Sequence, residues 1–230
     1  MSLGHFDDYA DAYDQHHAKS VRFSGDPVTY FAEYKVARLA HELPEMVDSS
    51  IKILDFGGGV GNSLPFFLKY FPQSSVTICD TSEASLSRAK LKGTVDTLHI
   101  NGDILPVADG EFDVVFSAGV FHHIPPQSHE NWLKEICRVT KKQGVFFLFD
   151  HNPNNPLTLK AVKDCEFDED AVLVKASKLR SIFQVSGFEG VTVKYTLFFP
   201  QFLKVFRPLE KYLSWLPIGG QYFVSGTKTG

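Results

Sequence analysis

Ile51-Lys52-Ile53-Leu54-Asp55-Phe56-Gly57-Gly58-Gly59-Val60-Gly61 is the stretch on which the fold turns. Its first half is a short β-branched, apolar run, the composition of a buried strand. Its second half is glycine, which lets a backbone turn sharply and come close to a ligand. A helical run, Ser63 to Tyr70, follows at once, so a helix N-terminus with unpaired N–H groups stands behind the loop. Strand, glycine turn and helix in this order are the start of a βαβ unit. The same residues also suit a plain strand-to-helix turn, and spacing narrows the choice. The pattern is D-x-G-x-G-x-G. A dinucleotide fingerprint starting at Gly57 would need glycine where Asn62 stands. A phosphate P-loop would need Gly-Lys-Ser/Thr, and no such triplet follows. An acidic residue opening the loop, Asp55, suits a ligand that carries positive charge.

Outward from this loop the chain alternates. Before it, Asp26-Pro27 is a cap followed by proline at the first helical position. Val28, Phe31, Ala32, Val36, Leu39, Ala40 and Leu43 then recur at helical spacing. After it, Val76–Cys79 is a second strand ending at Asp80, and Ser82 caps a helix running to about Lys92. Leu98–Ile100 is a third strand, Phe112–Phe116 a fourth and Gly144–Phe149 a fifth. The last two are nearly all apolar, as strands covered on both faces must be. A helix between them carries Trp132, Leu133, Ile136 and Cys137 on one side. Ser177–Ser186, closed by Gly187, is another helix. Val191–Phe199 and Gln221–Thr227 are the last two strands. Such alternation implies a parallel sheet with helices on both faces.

Composition agrees. A chain of 230 residues buries roughly 70% of its unfolded surface, enough for one domain with a full core. The hydrophobic share of 43% and charged share of 22% exclude a disordered or collagen-like chain. A net charge of −4 speaks against nucleic acid as the main partner. Three scattered cysteines with no CxxC pair signal neither a disulfide framework nor a zinc site, so no metal is expected. There is no secretory signal and no apolar run approaching about 20 residues, which points to a cytoplasmic protein.

Two carboxylates extend the loop. Asp80 ends the second strand, where an open α/β sheet meets its crevice and a carboxylate can hold a ribose diol. Its plainer reading is a helix cap, which Thr81 or Ser82 can already supply. Gly102-Asp103-Ile104 follows the third strand, where Asp103 either sits beside an adenine rim or is a turn aspartate.

These signals stand at the ends of successive strands. Together they resemble class I S-adenosylmethionine-dependent methyltransferases, of the small-molecule branch (type 11/12-like) that includes quinone-biosynthesis C-methyltransferases. The resemblance rests on ILDFGGGVG, Asp80, GDI, EFDVVFSAGVFHHIP (111 to 125), EICRVTKKQGVFFLFD (135 to 150) and an opening FDDYADAYD (6 to 14), and covers roughly residues 6 to 190. It implies a Rossmann-like seven-stranded mixed sheet in order 3-2-1-4-5-7-6, helices on both faces, and one methyltransferase domain over 1–230 with N-terminal helices in 1–45. It also implies S-adenosyl-L-methionine as cofactor and S-adenosyl-L-homocysteine as product. By the resemblance, Asp55, Gly57, Gly59 and Gly61 lie against the methionine part, and Asp80 with Thr81 faces the ribose. Asp103 and Ile104 frame the adenine, Ser117 lies near the sulfonium, and Tyr13 closes over the cofactor. Gly58 is a departure, standing where the family is usually variable, and it puts nothing essential in question.

Methyl transfer is an in-line displacement, and the protein mainly aligns the reactants and excludes water. A general base is needed only where the acceptor loses a proton. His122 and His151 are the candidates, with His123 beside them; packed or capping histidines are the plainer reading. The acceptor is expected to be a small or lipid-like molecule. Adenine and cytosine amino-methyltransferases carry a Pro-Pro-aromatic motif after the fourth strand, and Pro125-Pro126-Gln127 has the wrong flanks. Cytosine carbon methylation needs a Pro-Cys pair, which is absent. A non-catalytic S-adenosylmethionine-binding regulator on the same fold is the alternative. A nicotinamide oxidoreductase is disfavoured by Asn62.

One stretch stands outside the resemblance. Between the last two strands lie about twenty residues, Phe202, Val205, Phe206, Leu209, Leu213 and Leu216 near helical spacing with Lys204, Arg207, Glu210 and Lys211 between them. A helical insert over 200–220, broken at Pro208, either packs on the core or a partner, or caps a lipidic acceptor at a membrane surface.

Overall fold

A computed structural model describes residues 26–165 and 168–230. Tyr13 and the opening FDDYADAYD lie outside the described residues. The elements are α1 (Val28–Glu42), β1 (Lys52–Phe56), α2 (Leu64–Tyr70), β2 (Ser75–Asp80), α3 (Glu83–Ala89), β3 (Asp96–His99), β4 (Phe112–Ala118), α4 (His129–Val139), β5 (Thr140–His151), α5 (Pro156–Lys163), α6 (Ala176–Val185), β6 (Phe188–Thr196), a 3₁₀ stretch (Gln201–Leu209) running into α7 (Glu210–Leu213), and β7 (Gln221–Lys228).

The strands form one seven-stranded sheet in the order β3-β2-β1-β4-β5-β7-β6. Pairing is parallel from β3 to β5, and β7 is antiparallel to both β5 and β6. This is the architecture expected from the sequence. Alternate residues of the central strands feed two cores, because successive side chains leave a strand on opposite faces. Ile53, Ile78, Val114, Phe116, Phe147 and Phe149 face one core with α1, α2 and α3. Leu54, Cys79, Val115, Phe146 and Leu148 face the other with α4 and α6. Cys79, Cys137 and Cys165 are all buried thiols.

Two elements depart from the sequence reading. β5 begins at Thr140, four residues before the expected Gly144. Phe112 pairs with Thr140, and pairing resumes only at Val114 with Val145, so Lys141–Gly144 form a bulge. Gln143 sits there with φ of +63°, and the bulge's polar residues hid the strand's first turn from a search for apolar runs. The insert is helical but not a continuous α-helix. Its dihedrals break at Leu203, ahead of the expected Pro208, which sits within the 3₁₀ turns.

The insert is also inverted. Glu210 is buried, and its carboxylate accepts from Phe198 N (3.0 Å), Phe199 N (3.1 Å) and the Tyr34 hydroxyl (3.1 Å). Arg207 donates to Asp26 and lies 4.4 Å over the Tyr30 ring. Its charges thus bind α1 and the segment just before it, while Phe202, Val205, Tyr212 and Trp215 are each more than 60% exposed.

Candidate functional site

The site is the C-terminal edge of β2, β1, β4 and β5, and its framework is the loop after β1. Gly57 N and Gly58 N donate to Cys79 O at 2.8 and 3.2 Å, tying the loop to β2. Gly57, Gly59 and Gly61 all have φ between +52° and +73°, the left-handed region that L side chains rarely adopt. At Gly58 the demand is space instead: a Cβ there would lie 2.6 Å from Asp55 Oδ2 and 2.9 Å from Ile78 Cγ2. Gly58, the middle glycine of the three, therefore has a packing role that the resemblance did not indicate.

Asp80 organises the edge. Its Oδ2 accepts from Gly59 N at 2.9 Å and its Oδ1 from Ser82 N at 2.9 Å. Ser82 Oγ in turn accepts from Ser85 N and caps α3. The carboxylate thus holds the glycine loop and the start of the helix together, a role beyond that of ligand contact. Thr81 beside it is exposed, and its carbonyl accepts from His99 Nε2 at 3.1 Å. Ile100 N donates to Asp80 O, which brings the β3 loop alongside. On that loop Asp103 is exposed and Ile104 is 69% exposed, forming an outer rim.

Two buried polar atoms on adjacent strands have no hydrogen-bond partner among the described residues: Asp55 Oδ2 on β1 and Ser117 Oγ on β4. Ser117 pairs in register with Phe56, the neighbour of Asp55. Burial, and then the charge of Asp80, push the Asp55 carboxyl up to about 7, with Lys35 pulling the other way. Lys35 comes from α1 and faces both Asp55 and Asp150; burial brings it down to about 8. No sequence motif pointed to Lys35, because a single lysine within a helical pattern looks like solvated surface.

The second half of the site is a cluster of histidines and carboxylates. His122 is 2% exposed. Its Nδ1 meets Asp150 Oδ1 at 2.5 Å, and its Nε2 stands 3.4 Å from Asp168 Oδ1. His123 Nε2 is 3.5 Å from the same oxygen, and the His151 ring centre is 5.1 Å from that of His122. Burial opposes charge on His122, but Asp150 and Asp168 outweigh it and lift the imidazole to about 10. His151 goes the other way, brought down to about 4 by burial and then by the positive charge of His122. The two carboxylates thus favour the charged form of His122 and occupy both its ring nitrogens, so in the metal-free chain it is poorly placed to accept a proton, contrary to the sequence expectation. His151 is held in its neutral form. Asp168 had no signal in the sequence: Asp168-Glu169-Asp170 looks like an acidic turn.

The comparisons with known proteins agree with this geometry. Residues 53–144 match the family described as a methyltransferase domain. A 2-methyl-6-phytyl-1,4-hydroquinone methyltransferase of Oryza sativa is 29% identical over 160 residues, covering 67% of this chain and 46% of that protein. A ribosomal RNA small subunit methyltransferase C of Pseudomonas entomophila is 31% identical over 127 residues, covering 52% and 38%. The chain spans about half the length of the curated relatives it matches. A crystallised S-adenosylmethionine-dependent methyltransferase of Thermotoga maritima superposes with a TM-score of 0.68 at 21% identity, covering 97% of this chain and 98% of that one. Residues 53–144 thus carry a methyltransferase domain, and the fold is the one seen in crystallised S-adenosylmethionine-dependent methyltransferases.

Proposed function

We propose that the chain binds S-adenosylmethionine along the edge of β2, β1 and β4 and transfers its methyl group to a small-molecule or lipid-like acceptor. The observation that carries this is the pair of anchored carboxylates. Asp80 is anchored at the strand end by two backbone N–H groups, and Asp55 Oδ2 is buried without a hydrogen-bond partner among the described residues. A ligand with a diol and a cationic amino group satisfies both. The residues present thus fit the cofactor: Asp80 and Thr81 for the ribose, Asp55 and the Gly57–Gly61 backbone for the amino-acid part, and Asp103 with Ile104 for the adenine. Ser117 stands by the sulfur. When bound, the cofactor supplies a methyl group on a positively charged sulfur.

The chain's own residues then need to do little chemistry. The glycine loop and Asp80 fix orientation, the buried strand ends exclude water, and His151 offers a neutral ring nitrogen to an acceptor that must lose a proton. His122 positions Asp150 and the segment around His151.

The inverted insert supports a lipidic acceptor. Glu210, the only acidic residue from 201 to 218, is turned inward. What remains outside is Phe202, Val205, Tyr212 and Trp215 with exposed Lys204 and Lys211, a composition suited to an anionic membrane surface. Among the described residues no helix is long and apolar enough to cross a membrane, so contact of this kind would be peripheral. The rice relative's named substrate carries a phytyl tail, in keeping with this reading; the ribosomal RNA relative makes RNA the competing acceptor. Asp80→Ala tests the cofactor assignment. Two charge-assisted hydrogen bonds, each worth about 1.5–3 kcal/mol, should be lost, and calorimetry with S-adenosylmethionine should show affinity down by about a hundredfold or more. Unchanged affinity in a folded variant would reject the site. Formation of S-adenosylhomocysteine dependent on an added acceptor separates an enzyme from a non-catalytic binder.

A further inference from the structure

Among the described residues one group of side chains has the composition and closeness of a metal centre: His122, His123 and Asp168, whose ligand atoms all lie within 4.8 Å of one another. We propose that these three bind a divalent transition-metal ion of the zinc class, which displaces the proton from Nε2 of His122 on binding, with Asp150 as the outer carboxylate that orients His122.

Four observations carry this. The first is donor chemistry: two imidazole nitrogens and one carboxylate oxygen are a common protein ligand set for zinc and its neighbours in sites that keep a position open. The second is spacing. The separations of 3.4 and 3.5 Å from Asp168 Oδ1 to the two Nε2 atoms are longer than good N–H···O bonds of about 2.7–3.2 Å. Donors at the corners of a tetrahedron with bonds of about 2.0–2.2 Å stand about 3.3–3.6 Å apart, so both separations to Asp168 suit an ion better than a hydrogen bond, and the two imidazole donors lie within 4.8 Å of each other. The third is the outer shell. Asp150 Oδ1 takes Nδ1 of His122 at 2.5 Å, and this leaves Nε2 directed at Asp168. A carboxylate behind a ligating histidine is the usual support of such centres. The fourth is access. His122 is enclosed at 2% exposure, while the His123 and Asp168 side chains keep 19% and 13%, so a fourth position can open on their side to water or to an oxygen of a substrate. Val172 N donates to His122 O at 2.8 Å, which fixes the Asp168 segment against the exit of β4.

A motif search cannot find this group, since its members come from β4's exit and from a turn beyond α5. The ion would sit beside His151, on the side assigned above to the acceptor. An acceptor hydroxyl bound to it would ionise more readily, because a metal lowers the pKa of a bound oxygen acid. Only that last step rests on the methyltransferase reading; the binding itself does not.

The test uses untagged full-length protein stripped with chelator and titrated with Co²⁺ alone, then with Zn²⁺ in competition. The expected result is one ion per chain, visible d–d absorption of a four-coordinate Co²⁺, and its loss on adding Zn²⁺. His123→Gln and Asp168→Asn should each abolish that absorption. Asp150→Asn should weaken binding by about 10–100-fold while keeping it. Absence of stoichiometric Co²⁺ binding in the parent protein overturns the proposal. So does binding that is equally strong in folded His123→Gln and Asp168→Asn chains, since the ion then sits elsewhere and the cluster is an ion-pair network only. No cofactor is present in this titration, so its failure leaves the S-adenosylmethionine site untouched.

Discussion

Replacing His122 by alanine should unfold the protein more readily than any other single change at the site. The side chain is 2% exposed, and its main partner, Asp150, is fully enclosed. With the imidazolium gone, Asp150 keeps one backbone donor, His151 N at 2.7 Å, and its Oδ2 already has no partner among the described residues. A buried carboxylate left this way costs about 3–5 kcal/mol. Asp168 adds less, since it is partly exposed and water can take over the lost contact. For a chain of this length each kcal/mol moves the melting point by about 2–4 °C, so the midpoint should fall by about 6–20 °C. Urea denaturation in chelator, followed by tryptophan fluorescence and by circular dichroism, measures the change directly. The companion variant His122→Ala/Asp150→Asn carries no stranded charge and should recover part of the loss. A single variant within about 1 kcal/mol of the parent, or a double variant no better than the single one, would refute the idea that His122 holds two carboxylates in place.

Other outcomes are as definite. Gly58→Ala drives a methyl group into Asp55 and Ile78; overpacking of this kind costs about 1–3 kcal/mol, and a melting curve superposable on the parent's would show that the loop yields freely. Burial and the charge of Asp80 push the Asp55 carboxyl up to about 7. A cationic ligand needs it ionised, so affinity for S-adenosylmethionine should rise as pH goes from about 6 to about 8. Asp80 and Lys35 are the charges that face Asp55; calorimetry on Asp55→Asn should lose the part of the rise centred near 7, and an identical profile would remove Asp55 from the site. Phe202→Ser with Trp215→Ser should abolish co-sedimentation with anionic vesicles and leave the melting point unchanged, because both side chains are about three-quarters exposed; undiminished sedimentation would mean the insert does not face lipid.

The sheet was legible because its causes are local. β1, β4 and most of β5 are apolar runs ending in glycine or polar punctuation, and such runs between helical segments have few other places to go. Asp80 was legible for the same reason: it is the polar residue at a strand's end. The need for Gly58 was not, since it is a contact with Asp55 across the turn rather than a dihedral angle. The histidine cluster was half visible. His122 and His151 stood out by type, but their protonation is set by Asp150 and Asp168, and closeness in space to a turn 46 residues downstream leaves no periodic mark. The insert shows a different limit. Spacing tells which residues share a stripe, but not whether the stripe points inward. Here Tyr34 and Asp26, far back in the chain, offered better partners to Glu210 and Arg207 than water did.

Those two partners have a mechanical consequence. α1 is gripped at its N-terminal end by the insert, through Glu210 on Tyr34 and Arg207 on Asp26 and Tyr30. One residue after Tyr34 on the same helix, Lys35 faces Asp55 and Asp150. α1 thus ties the exposed aromatic surface, through Tyr30 and Tyr34, to the adjacent Lys35, whose charge acts on both Asp55 and Asp150. Should the insert shift at a surface, the contacts on α1 would carry that shift toward Lys35 and so alter the field at Asp55. Cofactor affinity measured with and without vesicles reads that transmission.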